Sequence, residues 1–467
     1  MTTRAPGQTP AGFPTPEVIQ RAHDEAELGR AIQAYRFFYP TVSMEGAMYG
    51  QQEAGAQDNQ GALLLAGGPR HVLFTGNSDT PYLGAILDLK KAGPMVVEIP
   101  PGPFMGIVND HHYRWIHDIG LPGPDAGKGG KHLLLPPGHE SQVPSGYFVA
   151  RSTTYKLLVG LRAIPDGDDL QGAMALMRKA RLHPLAASGP DVAIRDVTDQ
   201  GFDITCLRWE DNLQYWEKLH KVLQEEPTFD EFRPMYGLLA TLGIQKGKPF
   251  APDSRMRSLL ERAARTGREQ MLVAGFASQR PDRVVWTDRQ WEWIALNTED
   301  ANFELPTGLD VEARDRWFAQ AIGASPAMIR RTPGAGSLYW LALRDRNGAY
   351  LDGGKTYKLT VPQPVPARLF WSATVYDNAT RSQIQTDQDK AALRSLVELK
   401  DAAKDQPVDL YFGPQAPAGQ EGRWIQTLPG KGWFLYFRIY GPDAPAFNGS
   451  WKPDDLEEVR PVRQARA

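Results

Sequence analysis

The chain has 467 residues, with 52 Lys and Arg against 55 Asp and Glu and a formal net charge of -3. This near-neutral balance argues against a general nucleic-acid binder, which carries a basic excess. No run of about 18 apolar residues occurs, so no membrane-spanning helix is expected. The single cysteine, Cys206, excludes an intrachain disulfide, a cysteine zinc site and an iron–sulfur cluster, and reads as a buried structural thiol.

At about 150 residues per domain the length suggests two or three domains. The 45 Gly and 38 Pro, beside 12 Trp, 16 Tyr and 18 Phe, suggest many turns between aromatic-rich strands. No apolar leader follows the first residues, which points to the cytoplasm. Metalloprotease His-Glu-x-x-His, Gly-x-Ser-x-Gly and dinucleotide-binding glycine patterns are absent. The stretch Gly123–Lys131 has the wrong spacing for a phosphate loop and reads as a turn.

In chain order, residues 1–23 read as a loose tail. Asp24 and Glu27 are spaced as a variant capping box. Leu28, Ala31, Ile32 and Tyr35 then recur at helical spacing until Pro40 ends the element. Short apolar runs follow at 95–99, 104–108, 113–116, 132–135, 147–150 and 155–164. Their regular spacing suggests a sandwich or barrel over residues 24–165. Residues 166–330 read as a helical bridge, with helices at 168–182, 213–223, 255–276 and 311–322. Strands return within 331–467, at 337–343, 357–361, 367–376, 408–412, 424–427 and 433–440. In the last strand Trp433, Leu435, Phe437 and Ile439 share one face. Phe434, Tyr436, Arg438 and Tyr440 share the other, which is mixed enough to be solvent-facing or a binding surface.

Several stretches carry a resemblance. Gly76-Asn77-Ser78-Asp79-Thr80-Pro81-Tyr82, Asn109-Asp110, Arg114-Trp115, Asp118 and Gly120–Gly138 are similar to one bacterial family. Phe370–Ser382, Tyr411–Pro414 and Trp424–Pro442 resemble a second. These are the domain-of-unknown-function families numbered 1254 and 1214, usually met in that order on one chain. The resemblance implies two β-sandwich domains joined by helices, the C-terminal one jelly-roll-like. The expected class is therefore α+β, mainly β, with two antiparallel β-sandwiches and a helical middle. Arg423 and the histidines at 111, 112 and 117 depart from the usual family residues.

Four constellations could carry chemistry. Asn77, Asp79 and Tyr82 form a dense turn, either a turn-former or a polar site at a strand end. Asp110, His111, His112, Arg114, His117 and Asp118 are the densest set of metal-ligand types. Strand alternation would split the histidines, and Arg114 could pair with Asp110 or Asp118. Tyr376, Asp377, Asn378 and Arg381 end a strand, and Arg381 could clamp Glu421 or a substrate carboxylate. Trp424, Gln426, Lys431, Trp433, Tyr436, Arg438 and Tyr440 read as sandwich core or as a carbohydrate face.

The favoured expectation is a hydrolase or lyase using general acid–base chemistry on a polar small molecule or glycan. Asp79 or Asp110 would be the acid–base group, Arg114 or Arg381 the charge stabiliser, and Tyr82 or Tyr436 an orienting hydroxyl. Asn77, Asp118, Tyr376, Asn378, Arg381, Trp424, Gln426 and Arg438 would bind substrate. The alternatives are a non-catalytic carbohydrate-binding or interaction protein, and a metal enzyme at His111, His112 and His117. No cofactor, nucleic-acid or membrane partner is expected, and a homo-oligomer is left open.

Overall fold

The computed structural model describes residues 12–186 and 190–459. Of the tail expected at 1–23, residues 1–11 lie outside the described residues, and residues 16–23 are helical instead. The first element is a helix, Pro16–Glu53, entered through an extended Thr15 with proline in its first turn, where the missing N–H costs nothing. The cap expected at Asp24 is therefore mid-helix. Asp24 instead accepts from Gln20 and Arg255.

Pro40 does not end this helix. An interior proline costs about 3 kcal/mol through its lost N–H and its clash with the preceding turn. Ala31, Ala34, Tyr35, Phe38, Tyr39, Val42 and Ala47 are all fully buried around it, and that packing outweighs the defect. The helix is crowded on more than one side. A Cβ at Gly50 would lie 2.1 Å from the Asp203 carbonyl, and one at Gly267 would lie 2.3 Å from the Tyr35 ring. Only glycine permits these two approaches.

The chain is mixed α+β, with mostly antiparallel pairing. The N-terminal part builds a six-stranded sheet in the order Ala193–Asp196, Gly61–Leu65, Tyr82–Asp88, Lys156–Ala163, Phe104–Asp110, Trp115–Gly120. A four-stranded sheet, Arg181–Pro184, Met95–Ile99, Gly130–Leu135, Phe148–Arg151, shares a core with it. That core holds Leu64, Leu83, Leu87, Val97, Phe104, Val108, Val159 and Leu161. The C-terminal part repeats the plan. Trp291–Trp293, Ser337–Ala342, Trp433–Pro442, Ala367–Asp377 and Ala392–Arg394 form a five-stranded sheet. Trp424–Gln426, Val408–Gly413, Tyr357–Val361 and Glu457–Glu458 form a four-stranded one. Their common core includes Trp340, Leu359, Val375, Leu410, Leu435 and Phe437. Among the described residues no sheet closes into a barrel.

The middle is helical but lends strands to both ends. Leu170–Met177, Gln214–Glu225, Arg233–Thr241, Ser254–Phe276 and Val311–Phe318 are helices. The basic end of the expected helix 168–182 is instead the strand Arg181–Pro184, and Trp291–Trp293 belongs to the C-terminal sheet. No described helix is long and apolar enough to cross a membrane.

A third core, around Tyr35, Phe38, Val42, Trp216 and Leu260, joins the helices to the remaining face of each large sheet. Both large sheets thus turn one face to their own small sheet and the other toward each other. The space between those second faces is where the polar residues collect.

Candidate functional site

The second face of the six-stranded sheet can be read from its register. Leu63, Gly84, Gly160, Ile107 and Asp118 form one cross-strand row. Leu65, Tyr82, Arg162, Met105 and Gly120 form the next. Side chains two apart on a strand share a face, so both rows look the same way. Gly84 and Gly160 leave the middle of this floor without side chains, and Gln51 of the long helix fills the gap over Gly84 only. Opposite lies the inner face of the C-terminal sheet, where Arg438 pairs with Tyr339 and Ser372.

Between them is a cavity of about 900 Å³. Its walls are mainly apolar, with Leu63, Leu65, Phe74, Ile107, Leu158, Trp317 and Met328 among them. The polar groups are a minority of the lining. Asn77, Tyr82, Asp118, Arg162, Tyr339, Tyr436 and Arg438 all line it.

One end is held by the loop of residues 75–80. Asp79 accepts from Ser372 at 2.9 Å and from Tyr440 at 3.2 Å, both on the C-terminal sheet. Arg162 donates to Thr80 at 2.7 Å, Asn77 at 3.0 Å and Tyr440 at 3.3 Å, and lies over the Tyr82 ring. Thr75 sits at φ 45°, a left-handed conformation that a β-branched residue adopts only under constraint. The constraint is visible. Its N–H donates to the Arg381 carbonyl, and its own carbonyl accepts from Arg438 and Tyr376.

Arg438 is 2% exposed and sits among the rings of Tyr339, Tyr376 and Tyr436. Its Nη2 donates to Thr75, while Nε and Nη1 have no partner. Asp118, 5% exposed, has an unpartnered Oδ1. Burial pushes its carboxyl up to about 7, against weaker opposing effects from Trp115, Ser325 and Arg330.

Of the residues singled out in the sequence, Asn77, Tyr82, Asp118, Tyr436 and Arg438 thus meet at one cavity. Asp79 and Tyr376 lie immediately behind its polar end. The others are elsewhere. Asp110 caps its own turn, accepting from the His112 and Arg114 N–H groups and from Thr153. The Arg114 side chain pairs with Glu304 at 3.1 Å and lies over Phe229, rather than with Asp110 or Asp118. Asn378 is exposed, and the Trp424 indole donates to the Gly413 carbonyl. The Gln426 N–H is taken by Gln388. None of these lines the cavity.

Two expected pairings are corrected. Arg381 does not reach Glu421, which sits in a surface turn and accepts from Gly419. It is fully buried against Glu210 and Tyr39 instead. The histidines do not form a metal site. His111 lies between Glu226 and Glu45, His112 meets Thr41, and His117 meets His132. Burial, with His132 adding to it, lowers His117 to about 4. Among the described residues no three His, Cys, Asp or Glu side chains gather to hold a metal. Cys206 is buried as expected, and burial raises its thiol to about 12.

The family described as "Protein of unknown function (DUF1254)" matches residues 64–184, and "Protein of unknown function (DUF1214)" matches residues 336–444. The chain carries a DUF1254 domain followed by a DUF1214 domain. No curated protein matches the chain. Among solved structures it is similar to the VPA0106 protein from Vibrio parahaemolyticus, at 18% identity and a TM-score of 0.55. That likeness covers 93% of this chain and 100% of the other, and it shows the fold. An uncharacterised protein from Burkholderia cenocepacia matches at 12% identity and a TM-score of 0.39, over 94% of this chain and 96% of that one.

The DUF1254 segment supplies the cavity floor and the DUF1214 segment the opposite wall. Arg162 and Gly160 escaped the sequence reading because they sit inside a run that reads as plain strand. A signal was present. In Lys156–Ala163, Leu157, Val159, Leu161 and Ala163 make one apolar face, so Leu158, Gly160 and Arg162 must occupy a different environment.

Proposed function

We propose that the chain binds a small, largely apolar molecule in the cavity between its DUF1254 and DUF1214 domains, and acts on it by general acid–base chemistry. The observation that carries this reading is the cavity itself. Its size lies within the range of small-molecule sites, and such sites combine apolar walls with a few convergent polar groups. The wall composition favours an apolar ligand over a glycan. Asp118 supports the catalytic part, because a carboxyl that titrates near neutrality can both donate and accept a proton at working pH. The stacking of a large and a small sheet about one core supports reading each module as a β-sandwich.

Gly160→Phe tests the binding reading. A Cβ at Gly160 meets nothing nearer than the Ile107 side chain at 3.5 Å, so the ring projects into open space. Fluorescence titration with anilinonaphthalene sulfonate should show binding weakened by about tenfold or more, with the melting temperature retained. Unchanged binding would remove the cavity from the proposal.

Asp118→Asn tests the acid–base group. Its folded pKa is raised above the unfolded value, about 4, so stability is lost as pH rises from about 4 to about 7. The amide should therefore raise the melting temperature increasingly from about pH 4 to about pH 7 and leave it little changed below about pH 4. In infrared difference spectra of the parent against this variant, the carboxyl band should be lost with a midpoint near 7. A midpoint in the ordinary aspartate range, about 4, would remove Asp118 as the acid–base group.

A further inference from the structure

The ionisable residues that line the cavity are unbalanced. Among the described residues the charged side chains there are Arg162, Arg330, Arg368 and Arg438 against Asp118 alone. The chain as a whole carries a net charge of -3, so the excess of arginine is local. Arg330 and Arg368 are exposed, and Arg368 engages Asp443 at 2.7 Å. Arg162 and Arg438 are the inner pair. Asp79 is the carboxylate that acts on Arg438; its Oδ2 is held by Ser372 and Tyr440 and its Oδ1 has no partner. Tyrosine rings supply most of the remaining surroundings.

A guanidinium has five N–H donors in a planar fork suited to an oxyanion. Arg438 spends one of its groups on Thr75 and leaves Nε and Nη1 bonded to nothing. Burying donors in this state is costly unless a ligand completes them.

We propose that Arg162 and Arg438 form an oxyanion subsite at one end of the cavity, so that the ligand is amphipathic, with a carboxylate or phosphate head and an apolar body lying over Gly160. This rests on the reading of the cavity as the ligand site. The register then places the body. Asp118 is two strands from Arg162 and one side-chain step along, so their Cα atoms are about 12 Å apart on standard sheet spacings. Gly160 lies one side-chain step from Arg162 on the same strand and shares the Asp118 row, with Ile107 between the two. A ligand anchored by its head would present a bond partway along its body to Asp118.

The experiment is isothermal titration of the full chain with decanoate, decyl phosphate and decanol, which share one chain and differ in the head. The anions should bind at least about tenfold more tightly than the alcohol, as charge-assisted bonds to buried groups require. Arg438→Met should remove that preference, and Arg438→Lys should restore part of it. Gly160→Phe should weaken all three. The two anions, compared with each other, identify the head. Equal binding of alcohol and anions, or a preference that survives Arg438→Met, would overturn the subsite and leave the cavity reading standing. Failure of all three to bind, or binding indifferent to Gly160→Phe, would overturn both. If Arg438→Met fails to fold, Arg162→Met carries the same comparison.

Discussion

Replacing Glu210 with alanine should destabilise the protein by about 3–5 kcal/mol, the usual result of leaving a buried charge without its partner. Glu210 is fully buried and receives Arg381, Tyr39 and, at 3.1 Å, Arg268. Its own backbone carbonyl accepts from Tyr35. Burial alone would raise its pKa, but Arg381, Tyr39 and Arg268 outweigh burial and lower it. The carboxylate therefore ties three parts of the chain. Tyr35 and Tyr39 belong to the long N-terminal helix, Arg268 to the helix Ser254–Phe276, and Arg381 to the turn after the C-terminal strand Ala367–Asp377.

Without Glu210, the Arg381 side chain keeps, among the described residues, hydrogen bonds to the Tyr39 hydroxyl and the Ala319 carbonyl and its stacking over the Phe74 ring. Arg381 also holds Thr75 through its backbone carbonyl, so the loss should reach the polar end of the cavity. Urea denaturation measures the effect. The double variant Glu210→Ala with Arg381→Met should recover part of the loss, because both charges then leave together. Additive losses in the double variant would show that the pair is not the unit that matters.

The position of this clamp shows what the sequence withheld. Arg381 is separated from Glu210 by 171 positions, and nothing local marks the partnership. Glu421 looked suitable because it is near Trp424 in sequence, yet it falls in a surface turn. The strands were legible where short apolar runs lie between glycine and proline, and Met95–Ile99 and Tyr357–Val361 are found as expected. Tyr82–Asp88 was hidden because it follows a turn motif and carries Gly84 on its cavity face. The helix past Pro40 was hidden for the opposite reason. The local rule was sound, but burial of residues on several sides overrode it. For the site, the alternation in Trp433–Pro442 set Tyr436 and Arg438 on a different face from Trp433, Leu435, Phe437 and Ile439. That face is buried, with Phe434 and Tyr436 in the third core, and not open to solvent. Which loop Tyr436 and Arg438 would meet was a property of how the two large sheets face each other.

The protein should also lose stability as pH rises through about 9, and His111 should be the cause. Its ring lies 2.9 Å from Glu226 and 3.4 Å from Glu45, fully buried. Burial opposes the imidazolium, but the two carboxylates outweigh it and raise the pKa to about 9. Lys221 pairs with Glu45 at 2.6 Å, and Glu226 also accepts the Tyr155 and Lys156 N–H groups. The neighbouring His112 is held neutral, because burial lowers it to about 4. A histidine whose folded pKa exceeds its unfolded value, about 6.5, stabilises fully below that value and ceases to do so above the folded one. The window is thus about pH 6.5 to 9, and the shift corresponds to roughly 3 kcal/mol. Urea midpoints taken across that window should fall for the parent protein and stay nearly level for His111→Gln. The lysines, tyrosines and cysteine common to both proteins cancel in the comparison. Where the variant folds poorly, the imidazole proton resonance of His111 in the parent gives the same answer, with a titration midpoint near 9. A midpoint near the ordinary histidine value would mean that Glu45 and Glu226 do not hold the ring charged.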